Sequence, residues 1–192
     1  MTICIFCCIL SPAHVTILIF IIREVEKINT ETLEGIKELS IESLKGYDSF
    51  AGRAPVSDEE CAIVHRILGL LDRDNIESFI CEWLDLNVPV AMIAVATLTM
   101  FNVIIRTELL ATDELKTSAR ERFEKLLEHS SPIIRLRAVA CLTFMHACKM
   151  VSDPAGLAVA LKFRMKMESC EAVREEYREL LAILPDSGKN RF

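Results

Sequence analysis

The sequence predicts an all-α protein, a short α-solenoid of stacked helix pairs preceded by an apolar N-terminal helix. Three observations carry this expectation. Residues 94–101 read AVATLTMF and residues 138–145, 44 positions on, read AVACLTFM, with five of eight positions identical. A self-match at that shift is the period of helix-pair repeats, whose units bury their apolar faces only against neighbouring units. Apolar residues make up 52% of the chain but aromatic residues only 6%, with six Gly and six Pro. Aliphatic side chains packed between helices give that profile, whereas an all-β chain needs more turn residues and more alternation. From residue 29 onward, apolar residues also recur at helical spacing between cap signals. The 192 residues suffice for one large domain or a short array.

Each element has its own signals. Residues 1–22 hold two apolar runs, ICIFCCIL and VTILIFII, around Ser11-Pro12-Ala13-His14, with no charged side chain before Arg23. As a helix, 20 such residues span roughly 30 Å, the thickness of a bilayer core, with a kink expected at Pro12. A membrane anchor is the leading reading; a cleaved signal peptide lacks its basic start, and an apolar helix packed on the domain stays open. As an anchor it leaves the rest of the chain in the cytosol, because Arg23, Lys27 and Lys37 follow it and no basic residue precedes it. Cys4, Cys7 and Cys8 read as apolar helix residues before they read as palmitate acceptors. Asn29 or Thr30 opens a helix to about residue 45, with Leu33, Ile36 and Leu44 on one face. Residues 46–56 (GYDSFAGRAPV) form a linker.

Ser57-Asp58-Glu59-Glu60 is a capping box, and the helix after it runs to about Asp72. Asn75 caps a helix that ends near Asn87, and Pro89 opens a nearly all-apolar one through Ile105. Asp113 caps the next, with Leu115, Ala119, Phe123, Leu126 and Leu127 as its apolar face. Ser131-Pro132 and Asp153-Pro154 each place a cap before an N1 proline, starting helices to about Lys149 and Met167. A last helix runs from Cys170 to Leu184 and stops at Pro185, and a polar tail over 185–192 is expected to lack structure. The units are thus 1–22, 23–56, a repeat domain over 57–184, and the tail.

Residues 126–142 (LLEHSSPIIRLRAVACL) resemble the signature of HEAT repeats, with Pro132, Ile134, Arg135, Ala138 and Leu142 in the family's positions. Val173-Arg174 and Leu181 fit in part, with Tyr177 where a small residue is usual. Pro89, Ala94 and Leu98 fit as well, but Ala91 stands where the family has Arg. The resemblance covers about 75–184 as three repeats and does not separate HEAT from armadillo units. It implies a right-handed solenoid of antiparallel helix pairs. It also implies a structural ladder in which Arg135 and Arg174 reach inter-helix turns of neighbouring repeats, where Asp85, Glu128 and Glu168 lie. Paired interior charges of that kind serve packing order before ligand contact. Trp83, among apolar positions, reads as core.

Residues for chemistry are sparse. No Gly-rich phosphate loop, nucleophile elbow, His-Glu-x-x-His or paired Cys-x-x-Cys occurs in the part after residue 22. Cys61 with His65, and His146 with Cys141 and Cys148, fall short of the four ligands zinc takes, and a Cys–His nucleophile needs an orienting group and oxyanion donors as well. Cys61, Cys81, Cys141, Cys148 and Cys170 are scattered singly, as thiols used for packing in a reducing compartment. The formal charge of −6 argues against a general nucleic-acid binder. A local basic zone (Arg135, Arg137 and Lys149, then Lys162, Arg164 and Lys166) is a candidate partner-binding patch for an acidic peptide, a phosphate-bearing partner or an anionic membrane face. A merely solvated face is the plainer account. The expected function is a non-catalytic protein-interaction module or small assembly subunit in the cytoplasm, without metal or cofactor, binding along the groove of its second helices. The alternative is a membrane-anchored adaptor or tether in trafficking, its helical domain facing the cytosol.

Overall fold

The computed structural model describes residues 33, 35–37, 56–106 and 108–185, and these are helical with connecting turns and no strand. Seven complete helices follow one another: α1 (Asp58–Leu70), α2 (Ile76–Trp83), α3 (Val90–Arg106), α4 (Asp113–Leu126), α5 (Pro132–Ala147), α6 (Pro154–Met167) and α7 (Glu171–Ile183). The expected anchor at 1–22, the linker at 46–56 except Val56, and the tail at 185–192 except Pro185 lie outside the described residues. Of the helix expected over 30–45, Leu33 and 35–37 are described as helical, and Ile36 is buried in the common core. No helix among the described residues is long and apolar enough to cross a membrane.

The starts follow local chemistry, with three corrections to the sequence expectation. Ser57 Oγ accepts from the Glu60 amide at 3.1 Å and Glu60 Oε2 accepts from the Ser57 amide at 3.0 Å, which completes the expected capping box. Asp153 Oδ1 accepts from the Gly156 amide at 2.9 Å, again as expected. A Cβ on Gly156 would stand 2.2 Å from Asp153 Oδ2, so the cap and the glycine go together. Thr112, and not Asp113, is the cap of α4; its hydroxyl accepts from the Leu115 amide, while Asp113 sits in the first turn and pairs with Lys116 at 2.9 Å. Asn75 and Ser131 stand at cap positions but make no side-chain cap bond. Asn75 instead closes the preceding turn, donating to the Leu70 carbonyl at 2.8 Å and accepting from the Asp72 amide at 3.0 Å. At Ser131 it is the backbone amide that is held, by Nδ1 of His129 at 3.0 Å.

The helices fall into two rows. α1 packs on α3, α3 on α5 and α5 on α7; α2 lies against α4; and α2 with α3, α4 with α5 and α6 with α7 join the rows. The repeated octets sit side by side. The Cys141 thiol reaches the Thr97 carbonyl at 3.4 Å, Arg137 reaches the Ala94 carbonyl at 2.8 Å, and the rings of Phe101 and Phe144 lie 3.9 Å apart at their centroids. Contacts climb together along both helices, so α3 and α5 run in the same direction. The same holds for α5 and α7, where Arg135 meets Glu168 just before α7 and His146 meets the Ile183 carbonyl at its end.

One continuous core results, running from Ile36 to Leu184. Trp83 is buried in it with its ring 5.2 Å from that of Phe79, as expected for a packing residue. A buried Leu, Ile or Phe side chain contributes about 1.5–3 kcal/mol relative to exposure. The interior also holds polar groups, and three of them bond locally: Thr97 and Thr99 hydroxyls donate to the Ala94 and Val95 carbonyls, and the Asn102 amide to the Leu98 carbonyl.

Candidate functional site

Helix α5 organises the molecule, and its residues divide by direction. At 3.6 residues per turn, Arg137, Cys141 and Phe144 point to one flank and meet α3; Arg135 and His146 point to the opposite flank and meet α7. Ile134, Ala138, Leu142 and Met145 are fully buried between them. A fourth side remains, made of Pro132, Leu136, Ala140, Thr143 and Ala147, and every one of these is partly exposed. Ala140 therefore faces outward, while Ala138 is fully buried.

The two arginines of α5 have different tasks. Arg135 joins two inter-helix turns. Its Nε and Nη2 donate to the two carboxylate oxygens of Glu168, each at 2.7 Å, and Nη1 donates to the carbonyls of His129 and Ser130 at 2.7 and 2.8 Å. One guanidinium thus ties the turn before α5 to the turn before α7, in the bidentate geometry that suits Arg. Glu168 is held below the usual carboxylate range, because bonds from Arg135 and from the Cys170 and Ser169 amides outweigh burial, which alone would raise it. Burial, and after it the charge of Glu168, push the neighbouring Tyr177 hydroxyl up to about 12.

Arg137, expected on a partner-binding patch, is instead 8% exposed and ion-paired inside the core. Its Nη1 donates at 2.8 Å both to Glu60 Oε1 and to the Ala94 carbonyl, so three helices meet on one group. The physical reason is the supply of an acceptor: the capping box leaves one Glu60 oxygen free, and α1 carries it to α5. Two residues along a helix rotate the side chain by about 200°, which sends Arg135 and Arg137 to opposite flanks.

The remaining basic positions of that zone lie past the end of α5 and on α6. Lys149 is exposed just beyond the C-terminal end of α5, about 24 Å of helix from the end where Arg135 and Glu168 meet. It occupies the left-handed position of a helix stop, with φ 58°, while the Met150 and Lys149 amides close onto the Met145 and His146 carbonyls. Arg164 is paired with Glu128 at 2.7 Å. Lys162 and Lys166 are exposed on α6. Arg174 departs from the expected ladder as well: it pairs with Glu171 one turn back in its own helix, and not with a neighbouring turn.

Another pairing went unforeseen. Asp85, after α2, holds Arg122 of α4 at 2.9 Å, and Glu128, after α4, holds Arg164 of α6. Arg122 and Arg164 stand 42 apart and Asp85 and Glu128 stand 43 apart, close to the period of the octets, so the signal was there to find. These partly exposed pairs mark register and add little stability.

The thiols are packing groups in their surroundings. Burial pushes Cys141 far up, and raises Cys61 and Cys148. The described cysteines are free, and no three His, Cys, Asp or Glu side chains gather as metal ligands among the described residues. The described residues form an all-helical fold with charged groups paired in its interior. The chain matches no protein-family profile, no curated protein and no solved structure.

Proposed function

We propose that the chain is a non-catalytic interaction module of the cytoplasm, a short right-handed α-solenoid similar to HEAT repeats, that binds a protein partner along its second helices. The helix pairs α2–α3, α4–α5 and α6–α7 are its repeats. Same-direction packing of α3, α5 and α7, with ion pairs recurring between α2, α4 and α6, supports that arrangement. The observation that carries the reading is the row Leu136, Ala140, Thr143 and Ala147, the open side of a helix covered on its other three. It narrows the expected groove. The matching positions of α3, Met92, Ala96, Thr99 and Val103, are buried, so the partner is taken along α5 and the exposed side of α7.

The test is co-purification from native cells with the wild-type chain, Ala140→Glu, and Glu121→Lys as an exposed control on α4. A partner held by the wild type and the control but lost with Ala140→Glu, at unchanged thermal midpoint, is the expected result. A chain that purifies alone, or a partner indifferent to Ala140→Glu, rejects the reading. A second reading, a membrane-associated adaptor or tether, is favoured by one observation, the apolar and cationic outer face of α6.

A further inference from the structure

The outer side of α6 combines apolar exposure with one sign of charge. Val159, Phe163 and Met167 are 57%, 69% and 76% exposed. Each follows the last by four residues, so they form a single stripe along the helix, on the side away from the buried Leu157, Ala158 and Leu161. Lys162 and Lys166 stand exposed beside that stripe, and Arg164 leaves by the other edge toward Glu128. From Pro154 to Met167 there is no Asp or Glu, in a chain with 28 acidic and 22 basic side chains.

We propose that this face docks on an anionic lipid surface, with Phe163 and Met167 entering the headgroup boundary and Lys162 and Lys166 meeting lipid phosphates and carboxylates. Charge decides the sign of the partner: a chain of net charge −6 is repelled by such a surface except where a cationic face is presented. Shape decides between lipid and protein. A specific protein interface takes about 800 Å² per partner with matched relief, and the convex back of one helix with three apolar side chains offers neither. A bilayer boundary yields around inserted side chains and asks only for an apolar stripe flanked by cations, whose stems lie flat while their ammonium groups rise to the headgroups. The site is separate from the α5 row and does not depend on the residues before 33.

The experiment reads α6 itself. Trp83 is the sole tryptophan and is buried, so Phe163→Trp in the full chain adds one exposed reporter. With phosphatidylcholine vesicles containing phosphatidylserine and brominated acyl chains, the added emission is expected to shift to the blue and be quenched, more weakly with phosphatidylcholine alone. Adding Lys162→Glu and Lys166→Glu is expected to weaken the lipid dependence about 25-fold, at about fivefold for each lysine removed. An emission that stays solvent-like while the protein floats with the vesicles overturns the proposal. So does a blue shift without lipid that grows with protein concentration, which assigns the face to a second copy. Quenching indifferent to phosphatidylserine and to the two glutamates overturns it as well.

Discussion

Helices α3 and α5 carry the same octet and have different surroundings. In α3 the positions Met92, Ala96, Thr99 and Val103 are closed; in α5 their counterparts Leu136, Ala140, Thr143 and Ala147 are partly open. Both helices have a neighbour on each flank, α1 and α5 for α3, and α3 and α7 for α5, so the difference lies on the fourth side. The polar positions diverge in step. Where α5 has Arg135, facing the next turn, α3 has Ala91, and where α5 has Arg137, α3 has Ile93 inside the core. Identity within the octet therefore does not decide which helix keeps a side to offer: Ala140 and Thr143 repeat Ala96 and Thr99 and differ from them in exposure.

The sharpest way to break this comparison is the same substitution at both matching sites. Ala96→Glu forces an unpaired carboxylate into a closed interior and is expected to cost about 4 kcal/mol or more, enough to prevent folding. Ala140→Glu is expected within about 1 kcal/mol of wild type, since its carboxylate reaches water. Urea unfolding followed by circular dichroism measures both, and equal losses would refute the difference between the two helices.

Next in size is the core ion pair. Arg137→Ala leaves Glu60 buried without its cation and is expected to cost about 3–5 kcal/mol. The double variant Glu60→Met, Arg137→Met removes both charges and is expected to regain most of that, short of about 1 kcal/mol for the lost capping box. Additive losses in the double-mutant cycle would argue that the pair is not coupled.

The half-buried pair on the other flank is worth less. Arg135→Ala is expected to cost about 2 kcal/mol through lost charged hydrogen bonds, part of it screened by solvent. Because Glu168 is held low in the folded chain, its contribution is present above the unfolded carboxylate range and disappears as pH falls through the folded value. The wild type is thus expected to lose stability on acidification more steeply than Arg135→Ala, and parallel pH profiles would reject that assignment.

Much of the architecture was legible because repetition and contact coincide: 94 with 137, 97 with 141 and 101 with 144 are spatial neighbours at nearly the shift of the octets. Helix starts were legible to the residue type but not to the bond. Asn75 and Ser131 stand where caps stand, yet Asn75 finds its partners in the preceding turn and Ser131 is held through its amide. Within the basic zone Lys162 and Lys166, four apart, share a side of α6, while Arg164 between them turns away to Glu128. Arg137 could not be placed from spacing, since its partner Glu60 lies 77 positions away with no local pattern joining them.

That distance has a consequence for how the chain comes apart. Stacked helix pairs usually touch only their neighbours, so they can fray from an end one unit at a time. Glu60 and Arg137 reach past α2, α3 and α4 to join the first complete helix to the fifth, and the Ala94 carbonyl is held in the same grip. Detaching α1 strands a charge within α5, which couples the early helices to the middle of the molecule as one cooperative block. Amides of α1, α3 and α5 should then exchange with solvent together, with α7 free to open on its own.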